Sequence, residues 1–370
     1  MNNSKRILLT MVLVLLASSV ASAQTKDKVY WRDQQGKNQT ISGTITGMTP
    51  VTLTITKEDV PSQISCASIS KVVFKGEPKA FGDALDLIAE AQYADAVAAA
   101  SAVKVAELGN SNTLLMQRDY LLNYAYGQSA MQGDGGTVIS TATTGLSNFL
   151  GNRGRSHYAY YSCVKLLGDL YAMQSNLQGA KTCYGLYANS PTPIDKMRAT
   201  LALADIACTE AAKTPANGRA LYTTADGMYK KALQIAATIP GPEGMEAKTS
   251  AQLGIAFCLA ALGNTQAAET AINTIIKSNS AENAAVQAKA YNALGRAHYN
   301  AQAWKKAKLD YLQTHLLFAA GGGDLHAEAL YYLSLICSRL QQVEERTAYV
   351  QELEKRYSRS IWAQKARTGR

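Results

Sequence analysis

Two distant stretches of the chain carry the same pattern of residues, and this recurrence limits the fold more than any other feature. The first has Val164, Leu167-Gly168, Tyr171, Ala180 and Tyr184; the second has Tyr291, Leu294-Gly295, His298, Ala307 and Tyr311. The offsets of 3, 1, 3, 9 and 4 agree from end to end. Steps of three and four place the apolar residues on one face of a helix. The longer step carries the chain round a turn into a second helix, so each unit reads as a helix hairpin. A Gly on the first helix allows the Ala-bearing second helix to come close, and the large residues fill the space beside that contact. Weaker copies place small anchors at Ala125, Gly168, Ala204, Gly254, Gly295 and Ser334, spaced 43, 36, 50, 41 and 39 residues apart. Breaks at Gly109-Asn110, Gly151-Asn152, Pro240-Gly241-Pro242 and Gly263-Asn264 punctuate the helices.

The pattern resembles the tetratricopeptide repeat, W-x2-LG-x2-Y…A-x3-F…P. The resemblance implies a mainly α fold: a tetratricopeptide-like α-α superhelix over residues 79–367, with about seven helix hairpins. The spacings exceed the usual 34, so several helices or loops must be extended. Near the end, Tyr357-Ser358-Arg359-Ser360-Ile361-Trp362-Ala363 is similar to the "YP-x-S-x-WA" junction of periplasmic repeat proteins of the Tol–Pal and outer-membrane-assembly type, with Ser358 in place of Pro. Trp362 is expected to open a capping helix over the last apolar face.

The resemblance further implies that the first helices of the hairpins line a concave groove that holds peptides. On the late repeat, the face opposite the Leu294/His298 seam carries Lys289, Asn292, Arg296, Tyr299 and Asn300. The corresponding stripes supply Lys165 and Asp169 earlier and Tyr331 later. Lys, Asn and Arg together can hold a carboxylate through charge-assisted hydrogen bonds. An ordinary solvated helix face is the plainer reading of the same stripe. Tyr158, Tyr160 and Tyr161 form a second candidate surface. Such neighbours cannot all point inward, and an exposed Tyr offers contact area with a polar tip to a protein or a sugar ring; core packing with one hydroxyl at the surface is the alternative. The chain has 20 Tyr, 18 of them beyond residue 110, so much of this excess belongs to the repeat itself.

Residues 26–77 read differently. Ile41-Ser42-Gly43-Thr44-Ile45 and Val51-Thr52-Leu53-Thr54-Ile55-Thr56 alternate with period two, the mark of strands. Val29-Tyr30-Trp31, Ile64-Ser65-Cys66 and Val72-Val73-Phe74 add short apolar runs. About five strands in so short a stretch suit a small all-β, barrel-like domain of SH3/Sm type. The ending Ile69-Ser70-Lys71-Val72-Val73-Phe74-Lys75-Gly76-Glu77-Pro78 resembles the N-terminal β modules of exported bacterial repeat proteins. Seven basic and five acidic residues give it no strong phosphate-binding field, and a cap or docking module is the expectation.

The first 23 residues have the form of a secretory signal: Lys5-Arg6, an apolar run over 7–17, then Ala21-Ser22-Ala23 with cleavage expected after Ala23. The expected location is therefore periplasmic or secreted. No later stretch is long enough to be a transmembrane segment. The overall charge is +9, but six basic and no acidic residues crowd into 355–370, so the balance is local and no nucleic-acid partner is expected. Six Cys are scattered without a CxxC; most read as buried thiols, with Cys163 and Cys183 the pair to test.

The chain shows no motif for catalysis, cofactor or metal. There is no GxSxG, GxxxxGK[ST] or strand-bound GxGxxG. His315 and His326 stand eleven apart across a Gly-rich turn, which is no metal-ligand spacing, and His298 occupies a packing position. Gly321-Gly322-Gly323-Asp324 reads as a helix-to-helix turn with Asp324 as cap. What remains is recognition. The sequence points to a non-enzymatic protein-interaction scaffold of the bacterial envelope that binds a peptide or protein in its groove; a glycan or polysaccharide on the Tyr-rich surface is the alternative.

Overall fold

The computed structural model describes residues 25–33, 35–132, 136–358 and 360–368. The expected leader over 1–23 lies outside these residues. The chain divides into two compact units: one reaches to Tyr126 and includes 151–158, and the other takes 127–150 with everything from 159 onward.

The first unit opens with an antiparallel sheet of β1 (Asp27–Arg32), β2 (Asn38–Met48), β3 (Thr52–Lys57), β4 (Val60–Ser65) and β5 (Ile69–Val73) in the order β4-β3-β2-β1-β5. The period-two alternation places Val29, Leu53, Ile55, Ile64 and Val72 on one buried face, closed by Phe74. A side chain at Gly43 would collide with the Thr56 carbonyl, which is why glycine stands inside β2. Glu58 and Asp59 both have left-handed backbone (φ 51° and 64°), so β3 and β4 are joined by a tight two-residue turn. Asp27 accepts the Ile45 and Lys75 amides at 2.7 and 2.6 Å, pinning β1 to both neighbouring segments. Helices α1 (Lys79–Ala89) and α2 (Tyr93–Ala102) follow as a packed pair, and Lys71 of β5 ties to Asp86 of α1 at 2.6 Å. α3 (Asn112–Met131) starts in this unit.

The second unit contains α4 (Gly136–Gly151), α5 (Tyr160–Met173), α6 (Leu177–Tyr187), α7 (Pro193–Lys213), α8 (Pro215–Ala236), α9 (Pro242–Ala261) and α10 (Thr265–Ser278). It continues with α11 (Ala284–Asn300), α12 (Trp304–Leu317), α13 (Gly323–Arg339), α14 (Val343–Tyr357) and α15 (Ile361–Thr368). From α5 on, each helix packs against the next. In addition α7, α9, α11, α13 and α15 each pack against the following member of this odd-numbered series, forming one layer of first helices. Proline starts three of the long helices at the position where its missing N–H costs nothing: Pro193, Pro215 and Pro242.

The small anchors act as expected. A side chain added at Gly168 would meet the ring of Tyr184 at 2.9 Å, and one at Gly295 would meet Tyr311 at 2.7 Å; Gly254 lies equally close under Tyr229. The space that the glycine opens is occupied by a tyrosine ring of the Ala-bearing second helix itself. Tyr311 is completely buried.

A turn recurs that the sequence does not announce. Ala91, Ser175, Gly263, Gln302 and Gln341 all have left-handed backbone, with φ of 59°, 58°, 96°, 57° and 60°. In each case the next residue's N–H donates to the carbonyl five positions back: Gln92 to Leu87, Asn176 to Tyr171, Asn264 to Leu259, Ala303 to His298 and Gln342 to Cys337, all at 2.9 Å. This is the Schellman ending, which satisfies helix carbonyls that would otherwise lack a partner. Asp324, expected as a cap, sits inside the first turn of α13, whose N-cap is Gly322 without a side-chain bond.

All six Cys are buried and free. Cys163 and Cys183 are not bonded; the closest thiols are Cys208 and Cys258, with sulfurs 3.8 Å apart. Among the described residues no helix is long and apolar enough to cross a membrane.

Candidate functional site

The layer of first helices leaves a cavity of about 570 Å³ in the second unit. α7 contributes Asp205 and Thr209, α9 contributes Ser250 and Phe257, and α11 contributes Lys289, Asn292, Arg296 and Asn300. α13 adds Glu328 and Tyr332, the end helix α15 adds Trp362 and Lys365, and two residues, Tyr222 and Tyr229, come from the second helix α8. Drawn from first helices that stand far apart in the chain, the lining is a product of stacking.

Arg296 is the centre of the cavity. Its guanidinium is ion-paired with Glu328 and lies between the rings of Phe257 and Tyr332, 5.5 and 5.7 Å from their centroids. Burial works against its charge, but Glu328, Tyr332 and Tyr311 together outweigh it and hold its pKa well above the ordinary value. Its Nε has no hydrogen-bond partner. Asn292 is also buried; its amide nitrogen donates to the Leu325 carbonyl at 2.9 Å and to Glu328 at 3.3 Å, while its Oδ1 is unpartnered. Asp205 accepts the Tyr229 hydroxyl. Burial raises the pKa of this aspartate, opposed by the tyrosine and by Arg296.

Lys365 differs from the other cations. Its ammonium lies 4.3 Å from the Trp362 ring centroid, and among the described residues no carboxylate reaches it at ion-pair distance. Burial, then the charge of Arg296, depresses its pKa below the ordinary lysine value. A half-buried, unpaired cation beside aromatic walls invites an anionic group.

The expected residues divide. Lys289, Asn292, Arg296 and Asn300 do share the lining. Lys289 is engaged by Glu246 at 2.8 Å, and Asn292 is buried at 3% exposure, so neither is part of a simple solvated stripe. Tyr299 is turned out of the set; its ring packs edge-on against Trp304 and Tyr332. Tyr331 packs on Tyr332 and Trp362, and its neighbour Tyr332 takes the place in the lining. Lys165 and Asp169 pair with each other at 2.6 Å, and Asp169 accepts the Tyr184 hydroxyl at 2.7 Å, away from the cavity. Asp205 and Asp169 each follow a small anchor directly, and each receives a tyrosine of a second helix.

The aromatic surface needs a correction. Tyr158 is buried at 8% exposure, with its ring 4.3 Å from His157 and 5.8 Å from Tyr120, so it is no exposed platform. Tyr160 and Tyr161 are half-buried and pack edge-on at 5.3 Å, and the Tyr161 hydroxyl donates to the Asn189 carbonyl at 3.1 Å. Sequence reading missed Asp205, Phe257, Tyr332 and Lys365. Only Lys365 left a signal, as one cation of the basic end segment. The first unit holds a larger cleft of about 840 Å³, but its one carboxylate, Asp27, is already held by two backbone amides.

No known protein family's sequence profile matches the chain. No curated protein matches it either. Solved structures do. A tetratricopeptide repeat protein from Parabacteroides merdae aligns over 75% of this chain and 92% of its own, with 14% identity and a TM-score of 0.52. A Rap protein crystallised with competence and sporulation factor aligns over 76% of each chain at 14% identity with a TM-score of 0.47, and the type IV pilus biogenesis factor PilW over 66% of this chain and 98% of its own at 16% and 0.35. The likeness to the first of these is one of fold. The chain is mainly α, a tetratricopeptide-like helical array preceded by a five-stranded antiparallel sheet.

Proposed function

We propose that the chain is a non-enzymatic interaction scaffold of the bacterial envelope, and that the cavity among α7, α9, α11, α13 and α15 receives a peptide or an extended segment of a partner protein. Lys365 carries this reading. It is a cation without a counter-ion, set beside Trp362 in the cavity that Arg296 also lines. A ligand with an acidic group next to an apolar or aromatic side chain would satisfy both walls. Asp205 and Glu328 are engaged by Tyr229 and Arg296, so neither is free to serve as a general base. The envelope location rests on the signal-like leader, and the sheet is read as an SH3/Sm-like docking or capping module. The glycan alternative relied on exposed Tyr158, Tyr160 and Tyr161; with Tyr158 buried and the others packed, no observation favours it.

The test is site-specific photo-crosslinking in the native cell. A photoreactive residue at exposed Thr209 or Asn300 should capture one defined partner, and Lys365→Glu should reduce that capture at least tenfold. Equal capture from Leu309, which is exposed on α12 and outside the lining, or no loss with Lys365→Glu, would reject the groove.

A further inference from the structure

A second cluster stands apart from the cavity and engages none of its residues. His315 on α12 and His326 on α13 lie on either side of the Gly-rich turn, and folding brings their rings edge to edge, with centroids 5.1 Å apart and planes inclined by 17°. Nδ1 of His315 is 2.8 Å from Nε2 of His326, so one imidazole N–H donates to the bare nitrogen of the other. Nδ1 of His326 is 2.8 Å from the Tyr357 hydroxyl on α14. Also on α14, Glu352 places Oε2 4.0 Å from Nε2 of His315. Its other oxygen, Oε1, takes Arg356 at 2.8 Å. One ligand atom from each of His315, His326 and Glu352 falls within 4.8 Å of the others.

We propose that His315, His326 and Glu352 bind a divalent transition-metal ion of the zinc kind, which joins α12, α13 and α14. Two imidazoles and a carboxylate are a donor set that suits zinc and leaves a fourth position for water. The surroundings provide what the ligands need. When His326 carries its proton on Nδ1, it donates to Tyr357 and presents a bare Nε2. When His315 carries its proton on Nε2, its Nδ1 is bare. The two bare nitrogens then face each other, and the ion takes the place of the proton they share. Only a tautomer shift in His315 is required, with no net release of a proton. Nitrogens bound to a tetrahedral zinc at about 2.0–2.1 Å stand about 3.4 Å apart, so the 2.8 Å gap opens by roughly half an ångström. His326 is fully buried, so its ring is held in place by the helices around it. Arg356 opposes a cation, but it occupies only Oε1 and leaves Oε2 toward the histidines. The partly open sides at His315 and Glu352 give the ion its path.

The experiment uses the full chain without an affinity tag. Zinc binding is measured by chelator competition, and cobalt substitution is followed by its visible absorption. The wild type is expected to take one zinc at micromolar concentration, to show the intense bands of four-coordinate cobalt, and to melt at a higher temperature with zinc than without, whereas magnesium leaves it unchanged. His315→Gln should melt like the metal-free wild type and lose zinc affinity at least tenfold, with the cobalt bands. Since His326→Ala empties a packed site and is a poor test of binding, His315→Gln and Glu352→Gln decide. A wild type that takes up no zinc, or a His315→Gln variant that loses less than tenfold, would overturn the site.

Discussion

His298 shows how one side chain can join three helices. It sits on α11, with Nδ1 2.5 Å from Asp310 of α12 and Nε2 2.8 Å from Glu269 of α10, while Lys306 approaches Glu269 at 3.8 Å. The Asp310 hydrogen bond leads in raising its pKa above the ordinary 6.5, burial opposes it, and Glu269 adds to it. The folded chain thus holds the proton more firmly than the unfolded chain. The resulting stability is fully present below pH 6.5 and is lost as pH rises through the raised value. Burial raises the pKa of Asp310 as well, which acts in the same direction. Melting temperature should therefore fall as pH is taken upward from 6.5, and His298→Gln should flatten that dependence while lowering stability by about 1–3 kcal/mol at acid pH. A slope unchanged by the variant would place it elsewhere. At this scale the sequence was only partly legible. The repeat spacing marks His298 as a packing residue, but its two carboxylates lie on other helices and no spacing connects them. Helical periodicity puts Asn292 on an open face and cannot see that Leu325 and Glu328 close over it. A spacing of eleven gives His315 and His326 no metal-ligand pattern, yet the turn between their helices brings the two rings to 2.8 Å.

The elements were far more legible than the turns between them. Anchors such as Gly168 and Gly295 revealed the helices that carry them, because a missing side chain there is a packing requirement. The Schellman turns stayed hidden because four of the five left-handed residues are Ala, Ser or Gln. A non-glycine residue in that conformation costs about 1 kcal/mol. Gln302→Gly and Gln341→Gly should each raise stability by about 0.5–1 kcal/mol, and Gly263→Ala should lower it by a similar amount, measured by denaturant unfolding. If all three variants were neutral, the turns would not be holding the backbone described.

At the scale of the whole chain, a stack whose helices touch mainly their neighbours has a weak end. α15 protects it: Ala363 is completely buried against Ala327, Leu330 and Leu353. Ala363→Asp places an unpaired charge there and should cost about 3 kcal/mol or more. Hydrogen exchange is expected to speed up in α13 and α14 first, while strands β1 to β5 keep their protection. Uniform loss across the chain would show that the array melts as one block.

The six buried thiols have a consequence for how such a chain reaches its folded form. On the proposed route of export it would enter an oxidising compartment unfolded, with every cysteine reduced and 15 complete pairings open to it. None of those pairings is native. The polypeptide must then win a race, hiding its sulfur before oxidants join it. Neighbour-to-neighbour contacts form quickly, because little chain has to be gathered for each one. Once closed, burial raises the Cys163 thiol's pKa far above its ordinary value, and pushes that of Cys66 up to about 12 and that of Cys183 to about 11. A repeat architecture in this setting is its own safeguard against crosslinking: speed protects the sulfur first, and burial protects it afterwards.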